Sequence, residues 1–125
     1  MKHRIDVYPF AFNKIVSGRR KIDIRLYKKR MRDIRVGDMI EYVNIQTNNI
    51  TIKEVNGIAL FKDFKSLIRS LSHEMIGYGS TEEVRLRIER MYPKEEQIQY
   101  GVCALFIDEP EVVQLNKVNY FERSA

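Results

Sequence analysis

A single cysteine, Cys103, leaves the chain no internal disulfide, which excludes the framework of a small oxidised domain and suits a reducing compartment. Two histidines and that one thiol make no ligand set for structural zinc, so neither a metal nor a cofactor is expected. No run of eighteen apolar residues is present, which excludes a helical membrane span. The opening Met-Lys-His-Arg-Ile-Asp-Val lacks the apolar core and small-residue cleavage site of a secretory signal, so the expected location is cytoplasmic. Three prolines and six glycines are scattered along the chain, and neither a low-complexity run nor an interdomain linker stands out.

What remains has the composition of a folded protein. Hydrophobic residues make up 44% of 125 positions, which fits a single domain over residues 1–125. A chain of this length buries roughly two thirds of its unfolded surface on folding. The net charge of +5 is unevenly placed: residues 19–35 hold nine Lys and Arg against two acids, a local charge of +7, which leaves −2 for the rest. A local cationic excess is the electrostatic footprint of a polyanion, with a plain solvated loop as the alternative.

The apolar spacing predicts a short strand over 3–8 and then a helix opened by Pro9, with Phe12, Ile15 and Val16 on one face and Gly18 as its stop. A strand over 20–26 follows, then a basic loop. Val36-Gly37-Asp38 reads as a turn into a strand over 39–43, joined through a polar connection at 46–49 to another over about 50–60. Asp63 is placed to cap a helix carrying Phe64, Leu67, Ile68 and Leu71. Residues 73–80, with glycines around Tyr78, read as a loop. Ser80 and Glu83 have the spacing of a capping box, opening a helix with Val84, Ile88 and Met91 inward. Tyr100 to Ile107 is the most apolar strand, and Val112–Val118 fits a last edge strand. Phe10, Phe12, Phe61, Phe64 and Phe106 read as core. The order fits an α+β domain: a small curled, mostly antiparallel β-barrel with two to three flanking helices.

The stretch Gly-Arg-Arg-Lys-Ile-Asp-Ile-Arg at 18–25 carries the most chemical information. Strand side chains alternate, so Ile22, Ile24 and Leu26 share one face while Lys21, Asp23 and Arg25 share the other. Three charges on one face of a core strand require water, a ligand or counter-charges opposite them. Asp23 and Arg25 pair with each other or meet a ligand. Arg20 belongs to the other register unless the strand begins after it.

This stretch and its context resemble the ASCH domains, a branch of the PUA-like β-barrel superfamily. The family signature, Gly-x-Lys-x-x-Glu-x-Arg after a first helix, is matched by Gly18, Arg20, Asp23 and Arg25. Arginine replaces the usual lysine and aspartate the usual glutamate. "IRLYKKRMRDIRVGDMIEYVN", "DFKSLI", the Tyr-Pro helix end and "YGVCALFI" follow in family order, so the resemblance spans residues 3–109 and leaves 110–125 as an extension. It implies a small barrel whose cleft, between sheet and helices, holds RNA or a nucleotide, with a role in RNA metabolism or translation-linked regulation.

The ligand- or RNA-binding candidates are Gly18, Arg20, Lys21, Asp23, Arg25, Tyr27, Lys28, Lys29, Arg30 and Arg32. Arginine forks suit phosphate, and Tyr27 or Tyr78 suits base stacking. One small bacterial branch of the family hydrolyses N(4)-acetylcytidine through its motif lysine, a hydroxyl at the acidic position and a downstream glutamate. That implies an amidohydrolase or ribonuclease as an alternative, with Lys21, Asp23, Glu74 and Glu83 as the catalytic candidates. Arginine cannot supply the base that the motif lysine would be. A module binding a small anion or a protein is a third reading.

Overall fold

The computed structural model describes residues 1–110, so Val112–Val118 and most of the 110–125 extension lie outside the described residues. Five strands form one sheet in the order β1 (Lys2–Val7), β3 (Met39–Asn44), β4 (Ile50–Phe61), β5 (Val102–Asp108) and β2 (Ile22–Leu26). β1 runs parallel to β3, and every other pair is antiparallel. The sheet curls into a half-barrel, helped by a register shift between Val55 and Gly57 on β4, where the extra residue bends the strand. Among the described residues, β1 and β2 are its two edges.

The apolar run of β5 follows from burial on both faces. Cys103, Leu105 and Ile107 point into the half-barrel, where they meet Tyr42 and Ile40 of β3, Ile5 of β1 and Ile15 of α1 (Pro9–Val16). Val102 and Ala104 point the other way, beneath α3 (Phe64–Ser70), α4 (His73–Ile76) and α5 (Thr81–Met91). β2 obeys the same alternation: Ile22 and Leu26 sit under these helices, so Asp23 and Arg25 face the interior of the half-barrel.

Local signals set the element ends. Gly18 follows α1 at φ +78°, the left-handed conformation that ends helices. Asp63 accepts from the Ser66 amide at 2.8 Å, and Ser80 accepts from the Glu83 amide at 3.1 Å. Glu83 reaches back to the Gly79 amide, one residue before the cap.

Several expectations are corrected. The strand over 20–26 begins at Ile22, because the Arg20 and Lys21 amides donate to Lys14 and Met75 carbonyls instead of to a strand. The loop at 73–80 contains α4, capped by Ser72. Two helices were not expected: α2 (Lys29–Arg32) within the basic run, and α6 (Lys94–Tyr100), which takes Tyr100 from the strand. Phe10 is 49% exposed and Met91 60% exposed, so neither is core.

Candidate functional site

Both sheet edges line one cavity of about 220 Å³. Asp6, Val7 and Tyr8 approach from β1 and its end, Asp23, Ile24 and Arg25 from β2, and Arg87, Ile88, Met91 and Tyr92 from α5 and its cap. Arg20 and Tyr78 complete the wall. The cavity therefore occupies the seam where the barrel stays open.

Asp23 is the deepest charge, with its side chain 4% exposed. Its Oδ2 accepts from Arg25 Nε at 3.0 Å and from the Tyr42 hydroxyl at 2.7 Å. Burial and the neighbouring carboxylate push the Tyr42 phenol well above the usual tyrosine value, so it stays a donor. Burial works against the charge of Arg25, but Asp23 beside it more than offsets this and raises its pKa. Among the described residues, Nε is the one Arg25 nitrogen in a side-chain hydrogen bond, and the rest of its fork is left for the cavity.

Arg20 is anchored by Nε to the Ile76 carbonyl at 2.9 Å and by Nη2 to the Tyr78 hydroxyl at 3.3 Å. Arg87 lies 4.8 Å over the Phe10 ring and has no ion pair among the described residues. Three guanidiniums thus surround a hollow whose one deep carboxylate is already engaged. Tyr78 and Tyr92 supply aromatic surface, and burial raises the Tyr92 phenol pKa.

Of the sequence candidates, Arg20, Asp23 and Arg25 come together here, and Gly18 acts as the helix stop that leads to them. The remaining candidates sit elsewhere. Lys21 is turned away and pairs with Asp108 at 3.6 Å. Tyr27 packs against the inner core, and Arg32 lies 5.2 Å over its ring. Lys28 reaches Glu96 and the Tyr100 ring. Lys29 is exposed on α2. Arg30 donates to the Arg4 carbonyl, and Arg32 to that of Tyr27. Glu83 is engaged at the start of α5, and Glu74 is exposed on α4. No lysine or glutamate of the hydrolytic alternative lines the cavity.

Among the residues not foreseen, Asp6 and Tyr8 line the cavity from β1 and its end, Arg87 and Tyr92 line it from above, and Lys14 sits behind it against Tyr78. Arg87 and Tyr92 lie on or just beyond α5, and only the packing of that helix over the seam brings them in. Lys14, an α1 lysine beside Ile15, is buried, with its ammonium 4.3 Å from the Phe10 ring and 4.0 Å from the Tyr78 ring. It donates to the Gly77 carbonyl, and burial together with Arg20 holds its pKa below the usual lysine value. Its signal was a lysine placed among the apolar positions of a short helix.

No family model matches the chain, and no curated protein matches it by sequence. Solved structures do. Hypothetical protein PH0355 is 28% identical, with a TM-score of 0.75 over 86% of this chain and 98% of its own. Protein PF0455 from Pyrococcus furiosus is 25% identical, with a TM-score of 0.66 over 86% of this chain and 96% of its own. A point mutant of the ASCH protein from Zymomonas mobilis superposes with a TM-score of 0.61 at 14% identity, over 87% of this chain and 70% of that one. The architecture is the ASCH-type, PUA-like fold.

Proposed function

We propose that the seam cavity binds a nucleotide unit, free or presented by RNA. Arg20, Arg25 and Arg87 take the phosphate, and Tyr78 or Tyr92 stacks the base. The observation that carries this reading is a hollow ringed by three guanidiniums, with the Asp23 carboxylate engaged by Arg25 and Tyr42. Arginine forks bind phosphate oxygens in pairs, and a base stacked on an aromatic ring contributes on the order of 1–3 kcal/mol. The basic helix α2 supports an RNA extension of the site. Its Arg30 is tied to Arg4 of β1, the strand whose Asp6 and Val7 line the cavity, so Lys28, Lys29, Arg30 and Arg32 flank a path for further phosphates.

The test is binding of AMP by calorimetry and of single-stranded RNA by filter retention, each at two salt concentrations. Both affinities are expected to fall with salt, that for RNA with a log–log slope of roughly −0.7 per neutralised phosphate. RNA binding that persists without AMP binding would move the site from the cavity to α2. No binding of either at low salt ends the reading.

A further inference from the structure

The main chain of β2 adds a recognition element that no side-chain motif records. In the β2–β5 ladder, Ile107 donates its amide to the Lys21 carbonyl at 3.0 Å, and Tyr27 donates to the Gly101 carbonyl at 3.0 Å. Hydrogen-bonded pairs alternate with non-bonded ones in an antiparallel ladder, so the odd residues of β2 bond to β5. The even residues then turn their N–H and C=O the other way. Among the described residues β2 is an edge strand with β5 as its one neighbour, so the Ile24 amide pair points out of the sheet at a residue that lines the cavity. The Ile24 side chain packs toward the outer core under the helices, and its outward main-chain pair lies along the open edge of the same strand. Among the described residues, no loop backbone group outside the strands hydrogen-bonds to either Ile24 group.

An edge residue with adjacent, co-directed N–H and C=O groups is a donor–acceptor pair. It complements the adjacent acceptor and donor on the Watson–Crick edge of a nucleobase, as one strand complements another. We infer that the free edge of β2 at Ile24 hydrogen-bonds the base edge of a nucleotide whose phosphate lies among the arginines. The inference rests on the nucleotide reading above and deepens it: the ligand class is a nucleotide with an unpaired, unmodified base edge, not a sugar phosphate. Double-stranded RNA, whose base edges are occupied, is excluded from the cavity. Arg25, the next residue, holds the strand edge in place by pairing with Asp23.

The experiment measures affinity of the native protein for AMP, ribose 5-phosphate and N6,N6-dimethyl-AMP, which lacks the amino donor beside N1. AMP is expected to bind about tenfold tighter than N6,N6-dimethyl-AMP, the loss that follows from one or two hydrogen bonds, and by a wider margin than ribose 5-phosphate, which also lacks the stacked ring. Equal affinity for AMP and N6,N6-dimethyl-AMP overturns the edge reading while leaving the phosphate cavity standing. No binding of any of them removes the nucleotide reading itself. An Ile24→Pro variant deletes the outward N–H, a replacement that edge strands tolerate. It is expected to bind AMP no better than N6,N6-dimethyl-AMP. A variant that folds and keeps the full preference for AMP refutes the role of the amide, and the ligand series decides the matter if it does not fold.

Discussion

The Tyr42 hydroxyl donates a 2.7 Å hydrogen bond to Asp23 across the inside of the half-barrel, although their strands are separated in the sheet by β4 and β5. Tyr42 is completely buried. Its hydroxyl satisfies a carboxylate that water cannot easily reach, and the carboxylate in turn holds Arg25 at the cavity wall. Charge in the interior is thereby coupled to geometry at the seam.

Replacing Tyr42 by Phe leaves the ring in place and removes the donor. Asp23 then keeps one of its two partners, and the expected destabilisation is about 1–3 kcal/mol, read as a lower urea midpoint with an unchanged slope. Unaltered stability would show that water reaches Asp23 after all.

Arg87→Ala separates binding from folding. The residue is exposed and makes no ion pair among the described residues, so the change in unfolding free energy should stay within about 0.5 kcal/mol. AMP affinity should fall about tenfold, the loss expected for one charge-assisted contact. An undiminished affinity removes Arg87 from the site.

Gly77 sits at φ +101°, and a Cβ there would lie 3.4 Å from Lys14 Cδ and 3.5 Å from Arg20 Cβ. Gly77→Ala should therefore cost about 1–2 kcal/mol in backbone strain and disturb the anchoring of Arg20. The paired readout is a lower melting temperature together with weaker AMP binding. A variant as stable as the native chain would contradict the conformation assigned to this turn.

Acid should weaken the fold through Asp38. A hydrogen bond with His3, whose Nε2 lies 2.7 Å away, and one from the Arg35 amide at 2.9 Å hold its pKa down at about 2, from an ordinary 3.8. A carboxylate depressed in the folded state stabilises fully above its unfolded pKa. That contribution, roughly 2 kcal/mol, is lost as pH falls from about 4 toward about 2. Denaturation curves at pH 5 and pH 2.5 should show the loss in the native chain and a smaller one in Asp38→Asn.

The charged face of β2 was legible because strand alternation leaves Asp23 and Arg25 no place among Ile22 and Leu26. The caps at Asp63 and Ser80 were equally plain, since a side-chain acceptor before an apolar-periodic run has few other roles. Residues 19–35 divide between the cavity, which Arg20 and Arg25 line, and its surroundings. Charge density marks them as cationic, but Arg30 and Arg32 bond to nearby carbonyls, Lys28 and Arg32 lie over aromatic rings, and none of these reaches the cavity. Arg87, by contrast, stands alone on an ordinary charged helix, and its place at the wall depends on how α5 packs. Local pattern reports what a residue's neighbours in sequence require, and a cavity wall is assembled from segments that share no local pattern.

The pairing of Ile22–Leu26 with Val102–Asp108 joins segments separated by roughly eighty residues. Until the later segment has left the ribosome, the earlier one has no partner to align it, and the hollow beside it does not exist. Loop closure on that scale slows two-state folding, so the hollow cannot take shape in a nascent chain before residues 102–108 have emerged.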